Sequence, residues 1–225
     1  MNKKNNISKI LIVFLSFAIL LISCSPTSND SQAISVSYPE KGQKFLAGDT
    51  ISVKWNISLS NPKIYYNYNK GTSGWQEFLS VNYVSQTEAK VVLPTTWYSD
   101  SFQIKIEDAA KKHPEGISEY FSVKYIVITN PSSGNSYTVG ETVNIQFKAY
   151  SSKLSSLRFI LSTDGGKSYN DMLTGSISPT QNSLSWTIGD EPGYVFDYPS
   201  TKCILKIQDY DDGKIFDISG IFEVK

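Results

Sequence analysis

Cysteine and histidine are almost absent from this chain of 225 residues, and their scarcity excludes several kinds of protein. Cys24 and Cys203 are the only cysteines, too few for a disulfide framework. A catalytic zinc usually has several imidazole or thiolate ligands, and a Ser-His-Asp or Cys-His nucleophile needs a nearby base. His113, the single histidine, assembles neither. We therefore predict a non-enzymatic protein without metal or cofactor; paired carboxylates for glycoside hydrolysis, which need no local spacing, stay the alternative.

An excess of charge of one sign is also lacking. The chain carries 21 Lys and Arg residues against 21 Asp and Glu residues. Because no basic excess is available to neutralise phosphates, we expect no nucleic-acid partner.

No apolar run is long enough to span a membrane as a helix. Ile10–Ile22 contains 13 residues without charge, whereas a spanning helix needs about 17 to 25. Lys3, Lys4 and Lys9 precede this run, and a basic segment followed by a short apolar one is typical of a secretory signal.

The end of this run, Leu21-Ile22-Ser23-Cys24, resembles the bacterial lipobox. The resemblance implies that the Cys24 thiol takes a diacylglyceryl group, that cleavage makes Cys24 the N-terminus, and that two or three acyl chains such as palmitate anchor the protein. Ser25 differs from the Asp that retains some lipoproteins at the inner membrane, so we expect the outer membrane or cell surface. A plain signal peptide is the alternative. We assign residues 1–23 to the signal and 24–33 to a polar, flexible tether.

The rest of the chain is a duplication. Six positions recur 92 residues later as residues of similar kind: Pro39, Gly42, Gly48, Ile51, Val53 and Trp55. Further along, eight positions recur after 101 residues: Phe102, Ile104, Ile106, Asp108, Ser118, Phe121, Val123 and Lys124. The change of offset places the length difference in the middle loops of the unit. The two units are residues 34–124 and 125–225, with almost no linker between them.

Both units alternate apolar and polar residues with a period of two, which indicates half-buried strands. Examples are Ile51-x-Val53-x-Trp55 and Val143-x-Ile145-x-Phe147, and turn clusters such as Asp164-Gly165-Gly166 separate the runs. No long helical pattern occurs outside the signal. We therefore predict an all-β protein with two consecutive immunoglobulin-like β-sandwich domains.

The second unit resembles the immunoglobulin-like domain of fungal Knh-type cell-wall synthesis proteins, which also occurs in tandem on bacterial surface proteins. Three stretches carry the resemblance: residues 128–141, 161–169 and 184–188, together with the closing Ser219-x-x-Phe222-x-Val224. The first unit matches at its ends and departs at residues 67–75. These motifs are turn and core residues, so they imply a fold and not an activity.

Two polar turns allow a structural and a functional interpretation. Residues 162–169 resemble an Asp-box, and we predict a turn in which Asp164 accepts backbone hydrogen bonds and Gly165 or Gly166 has positive φ. The acidic run from Asp209 to Asp212 is predicted to be a hairpin turn, with a calcium site as the alternative. Cys203, in an apolar run, is predicted to be buried.

Aromatic residues give the only positive indication of binding. Alternation in residues 64–68 places Tyr65 and Asn67 on the face away from the core, and two loops carry further rings. The candidate ligand-binding residues are Tyr65, Trp97, Tyr98, Tyr194, Phe196 and Tyr198. We expect a lipid-anchored envelope protein that binds glycan or a surface polymer through exposed, clustered aromatic loops. The alternative is a non-catalytic structural or assembly lipoprotein that binds a protein partner through a sheet edge or flat face.

Overall fold

In the computed structural model of this chain, the structure describes residues 32–72, 74–110 and 113–225. The predicted signal peptide, the lipidation site Cys24 and the predicted tether up to Ser31 lie outside the described residues. Ile34 is the first residue of the hydrophobic core, and residues 31–225 form one compact unit that contains both cores entirely. Among the described residues, no helix has the length and apolarity needed to cross a membrane.

The first half of this unit contains ten strands: β1 Val36–Tyr38, β2 Lys44–Leu46, β3 Thr50–Trp55, β4 Pro62–Asn67, β5 Gln76–Glu77, β6 Val81–Ser85, β7 Glu88–Val92, β8 Ser99–Asp108, β9 Gly116–Ile117 and β10 Phe121–Lys124. One sheet has the order β1-β3-β7-β6. The other has the order β2-β10-β8-β4-β5, with β9 paired to β8. The two sheets enclose the first core.

The second half contains nine strands: β11 Ile126–Asn130, β12 Ser136–Tyr137, β13 Thr142–Ala149, β14 Leu157–Ser162, β15 Asn170–Asp171, β16 Ser183–Thr187, β17 Ser200–Asp209, β18 Phe216–Ile218 and β19 Phe222–Val224. They form a sheet of order β11-β13-β16 and a second of order β12-β19-β17-β14-β15, with β18 paired to β17. The one helical element in the described ranges is a 3-10 turn at Ser151–Lys153.

Alternation of side chains explains why these segments are strands. In β3, Ile51, Val53 and Trp55 are buried, whereas Lys54 points to solvent. The same pattern in β13 buries Val143, Ile145 and Phe147. Since successive residues of a strand point to opposite faces, this period supplies one face of each sandwich core. The prediction of an all-β chain with two consecutive sandwich domains is confirmed.

The duplication is visible strand by strand. β8 and β17 have bounds that differ by 101 residues at both ends, and each pairs with the central strands of its own sandwich. In both units a buried serine accepts a hydrogen bond from the same position of the long strand. Ser118 Oγ accepts the Ile104 N–H of β8 at 2.9 Å, and Ser219 Oγ accepts the Leu205 N–H of β17 at 3.0 Å. The sequence repeat is therefore also a repeat of hydrogen-bonding detail.

The two sandwiches differ on one flank. In the first sandwich, the chain crosses to the opposite sheet after Phe78 and forms β6, which pairs with β7. After Met172, the equivalent residue, the chain stays with the same sheet and Ile177 forms a two-way backbone bridge with Leu157. As a result, the sheet of β11, β13 and β16 lacks a fourth strand.

The junction between the sandwiches is short and packed. A single residue, Tyr125, separates β10 from β11, and Leu154 and Ile215 contact both cores. Asp217 of the second sandwich is buried; it pairs with the Lys44 ammonium at 2.6 Å and accepts the Ile128 N–H at 2.9 Å. Apolar contact and an ion pair between the buried Asp217 carboxylate and the partly exposed Lys44 ammonium therefore join the two domains.

Candidate functional site

Trp97 is exposed and forms a stacked aromatic pair in the first sandwich. It lies in the loop between β7 and β8, and its indole stacks on Tyr68, which follows β4, with ring centroids 4.7 Å apart and planes 8° apart. Tyr68 is half-buried against the core, whereas 45% of Trp97 is exposed. The Tyr68 ring thus covers one indole face and fixes its orientation, which leaves the rest of the ring accessible.

Tyr98 follows Trp97 in the same loop, and its ring packs toward the junction. It is exposed, and its ring lies 5.3 Å from Tyr125, which in turn lies 6.1 Å from Tyr150. The Tyr125 hydroxyl donates to the Thr95 carbonyl at 3.2 Å, so the residue between the domains holds the loop that carries Trp97. We call Tyr68, Trp97 and Tyr98 the aromatic platform.

Tyr65 lies in a different environment. It is half-buried, and the Lys105 ammonium lies 4.8 Å from the centroid of its ring and 5.3 Å from that of Trp75. Lys105 also pairs with Glu107 and Glu115. Burial raises the pKa of the Tyr65 phenol, so the phenol stays neutral at physiological pH. The prediction for Tyr65 did not include Trp75 or Lys105, because the contact depends on the pairing of β4 with β8.

Asn67 is a correction to the predicted alternation. It is buried, not solvent-facing: its side chain donates to the Gly74 carbonyl and accepts the N–H groups of Asn69 and Gly71. The side chain therefore closes the loop after β4, and an amide makes such a closure because it can donate and accept at once.

The loop between β16 and β17 holds the second group of predicted residues. Tyr194 is 49% exposed and packs edge-on against Phe196 at 5.3 Å. Phe196 is a correction: it is buried in the second core and offers no surface to a ligand. Tyr198 is half-buried, its hydroxyl donates to Glu191 Oε1 at 2.8 Å, and burial together with this carboxylate raises its pKa. The inserted loop folds back over the sandwich, so Phe196 and Tyr198 pack inward whereas Tyr194 stays exposed.

The structure therefore brings five of the six candidates into two groups, and Tyr65 belongs to neither. Trp97 and Tyr98 belong to the platform of the first sandwich, whereas Tyr194, Phe196 and Tyr198 share the equivalent loop of the second. No ring contact within residues 32–72, 74–110 and 113–225 joins the two groups. Trp97, Tyr98 and Tyr194 are exposed, and Tyr198 is not.

The predicted polar turn at Asp164 is confirmed. Its carboxylate accepts the N–H groups of Lys167 and Ser168 at 2.9 and 3.0 Å, and the Ser168 hydroxyl at 2.7 Å. These bonds, above all those from Ser168, hold the pKa of Asp164 far below its usual range. Gly165 and Gly166 both have positive φ, which the turn requires.

The acidic run after β17 is a hairpin turn. Asp209 is buried and accepts the backbone N–H groups of Ser155, Asp211 and Asp212. Its oxygens are thus used by the turn. Within the part of the chain that the structure describes, no group of three or more His, Cys, Asp or Glu side chains could hold a metal ion. Cys203 is buried as predicted, and burial raises the pKa of its thiol.

Comparison with known proteins gives similarity to folds and not to sequences. No protein-family model and no curated protein matches the chain. Among solved structures, the chain is similar to the fibronectin(III)-like modules of Clostridium thermocellum CbhA, at 16% identity over 85% of this chain and 91% of that one, with a TM-score of 0.25. It is also similar to the immunoglobulin domains 1–4 of Sidekick-1, at 11% identity over 86% of this chain and 49% of that one, with a TM-score of 0.27. The I9–I11 tandem of titin is 14% identical over 85% of this chain and 65% of that one, with a TM-score of 0.30.

Proposed function

We propose that this chain is a lipid-anchored bacterial cell-envelope protein that binds glycan or another surface polymer on its aromatic platform. The observation that carries the proposal is the pairing of Trp97 with Tyr68: a 45% exposed indole held parallel to a half-buried phenol at 4.7 Å. Contiguous exposed apolar surface marks interaction sites in many proteins, and this ring pair is the observation from which we infer one here.

The geometry suits the flat face of a sugar ring. Such a face presents C–H groups to an aromatic ring, and an indole offers the largest area for this contact. Because Tyr68 already fixes the Trp97 ring, little side-chain entropy is lost when a ligand binds, and this preorganisation favours affinity. Tyr98 adjoins the same loop and extends the apolar area with a polar hydroxyl.

The anchoring part of the proposal comes from the sequence. The lipobox-like end at Cys24 supplies a lipid, and residues 24–33 supply a tether to the first core residue, Ile34. We place the protein at the outer membrane or cell surface, and we assign its domains to the Knh-like type of repeat. Replacement of Cys24 by Ala is expected to move the chain from the membrane to the soluble fraction, as measured by fractionation and acyl labelling; unchanged membrane retention would contradict a lipid anchor.

A glycan array tests the binding function. The soluble form that starts at Ser25 retains both complete cores, and we would probe an array of bacterial and host glycans with it. The same array is probed with Trp97→Ala and with Tyr210→Ala, a control that removes an exposed tyrosine outside both aromatic groups. We expect specific binding that is lost only in Trp97→Ala. Binding that both variants retain would rule out the platform, and no binding to any glycan would rule out the proposed ligand class.

Tyr194→Ala serves as a separate arm of the same experiment. Its ring is exposed on the second sandwich, and no ring contact in the described residues connects it with the platform. We expect this variant to bind like the wild type. A loss in Tyr194→Ala alone would move the site to the second sandwich.

A further inference from the structure

Strand β16 is an unprotected sheet edge. Among the described residues it pairs only with β13, in a regular antiparallel register from Ser183↔Gln146 to Thr187↔Thr142. Edge strands are commonly protected by lysine, proline, a bulge or a covering segment. β16 has the sequence Ser-Leu-Ser-Trp-Thr, with no charge, no proline and no bulge. It therefore keeps the properties of a strand that accepts a neighbour.

The direction of its backbone groups follows from the bonds at both ends. The Asn182 carbonyl accepts the Phe147 N–H at 3.0 Å, and the Ile188 N–H donates to the Glu141 carbonyl at 3.0 Å. Since backbone groups of an antiparallel strand point alternately to either side, those of Ser183, Ser185 and Thr187 point away from β13. Ser185 is exposed, so its N–H and C=O are available to another strand.

The first sandwich shows which structure fits this position. There β6 occupies the corresponding edge, antiparallel to β7, with Val81 opposite Val91, Asn82 opposite Lys90 and Tyr83 opposite Ala89. The repeat equates Val91 with Trp186, Lys90 with Ser185 and Ala89 with Leu184. In the first sandwich, Val81 packs on the core and the Tyr83 hydroxyl donates to the Pro62 carbonyl of the opposite sheet at 2.6 Å. An extended strand in this place thus completes the flank.

A groove of about 200 Å³ lies along the vacant edge. Five of its nine lining residues are apolar: Met172, Leu173, Leu184, Trp186 and Pro192. The other four are Ser185, Thr187 and the two carboxylates that follow Thr187 in the chain, Asp190 and Glu191. Glu191 Oε1 already accepts hydrogen bonds from the Trp186 indole and the Tyr198 hydroxyl, whereas Asp190 is exposed. The groove therefore combines apolar walls with an anionic end.

We propose that the β16 edge binds an extended peptide strand of a partner protein, antiparallel to β16, by β-augmentation. The partner strand places an apolar side chain opposite Trp186 and a Lys or Arg residue, N-terminal to it, beside Asp190. Main-chain hydrogen bonds to Ser185 supply affinity, and the apolar groove and the carboxylates supply selectivity. This inference goes beyond the glycan site, because it involves the other sandwich and a different class of ligand.

A peptide copied from β6 tests this inference. The probe is Lys followed by the sequence of residues 80–85 with a fluorescent label, and the protein is the soluble form that starts at Ser25, which contains both complete cores. We expect saturable binding by fluorescence anisotropy and at least tenfold slower hydrogen exchange of the Ser185 amide in the complex. The same peptide with proline in place of its asparagine cannot pair, and we expect it to bind at least tenfold more weakly.

Two variants separate this site from other edges. Ser185→Pro removes the outward N–H without removing a bond to β13, and we expect it to abolish binding; Ser176→Pro, at an exposed position outside the strands, is its control. Asp190→Lys tests the anionic end without a backbone change. We expect it to weaken binding of the Lys peptide and to strengthen binding of the same peptide with Glu in place of Lys.

Three results would overturn the inference. The first is no binding of the Lys peptide at millimolar concentration. The second is binding that Ser185→Pro and Asp190→Lys both leave unchanged, or exchange protection at a strand other than β16. The third is a dimer of the peptide-free protein in sedimentation that Ser185→Pro dissociates, since the occupant would then be a second copy of this chain.

Discussion

Ser118 and Ser219 make the same hydrogen bonds in the two sandwiches. Each is buried, accepts a strand N–H through its hydroxyl oxygen and donates to the next residue's carbonyl, Glu119 or Gly220. The 101-residue offset of the sequence repeat pairs these two serines. The repeated residue therefore makes a repeated structural hydrogen bond.

Replacement of Ser219 by Ala is expected to destabilise the protein by about 1–3 kcal/mol, because it leaves the buried Leu205 N–H without an acceptor. Ser118→Ala should cost a similar amount through Ile104. Urea unfolding measures both. Ser176→Ala, at an exposed site, is the control, and equal stability of all three variants would contradict the assignment.

Asp164 makes the stability of its turn depend on pH. Hydrogen bonds, first from Ser168, lower the pKa of the folded carboxylate, so its contribution is fully present above the unfolded pKa of about 3.9 and is lost as pH falls toward the folded pKa. We expect Asp164→Ala to lower Tm at pH 7 and to reduce the difference from wild type at pH 2. Melting curves from pH 7 to 2 measure this. A difference that grows on acidification would show the opposite sign.

Residue-level predictions failed where contacts are non-local. Phe196 was a candidate ligand-binding ring because it lies in an aromatic loop that the first unit lacks, yet the loop folds back and buries it. The stacking of Trp97 on Tyr68 joins residues that sequence spacing does not connect. By contrast, the role of Asp164 was predictable, because the hydrogen bonds that its carboxylate accepts come from residues within four positions of it.

At the scale of elements, alternation predicted the strands but not all their pairings. The period of two in β3 and β13 follows from one buried face, which any sandwich provides. The presence of β6 and the lack of its counterpart were not predictable, because residues 79–85 and 173–182 are both short segments whose pairing is non-local. Which sheet such a segment joins depends on partners distant in sequence.

The difference between β7 and β16 predicts a difference in amide exchange. Lys90 lies opposite Asn82 of β6, whereas Ser185, its equivalent, faces an open edge. In the free protein we expect slow hydrogen exchange for the Lys90 amide and exchange near the unprotected rate for the Ser185 amide. The reason is that the Lys90 amide faces β6, whereas the Ser185 amide has no neighbouring strand to protect it. NMR exchange measures both. Equal protection of the two amides would mean that another segment covers β16.

At the scale of the whole molecule, the junction makes one body of two domains. The Asp217 carboxylate is 2% exposed and depends on Lys44 of the other sandwich for its countercharge. Lys44→Met is expected to destabilise the protein by about 2–3 kcal/mol and to add motion between the domains, because it leaves a buried charge unpaired. Lys54→Met, on the exposed face of β3, is the control. Urea unfolding and small-angle scattering measure the two effects, and identical behaviour of both variants would contradict the coupling.

The packed junction keeps the two sandwiches within one compact unit. Two residues of the aromatic platform, Trp97 and Tyr98, lie in the loop that Tyr125 holds at the junction. The packing of the junction therefore supports the proposed binding site. The sequence predicted aromatic binding loops in both sandwiches, and the structure keeps an exposed, preorganised ring pair in the first.

Titration calorimetry with the best-bound glycan of the array tests the glycan-binding claim most directly. An aromatic contact contributes about 0.5–1.5 kcal/mol in addition to the area that it buries, and about 1.4 kcal/mol corresponds to a tenfold change in Kd. We predict that Trp97→Ala weakens binding at least tenfold, that Trp97→Phe weakens it less, and that Tyr210→Ala leaves it unchanged. Wild-type affinity in Trp97→Ala would contradict the account.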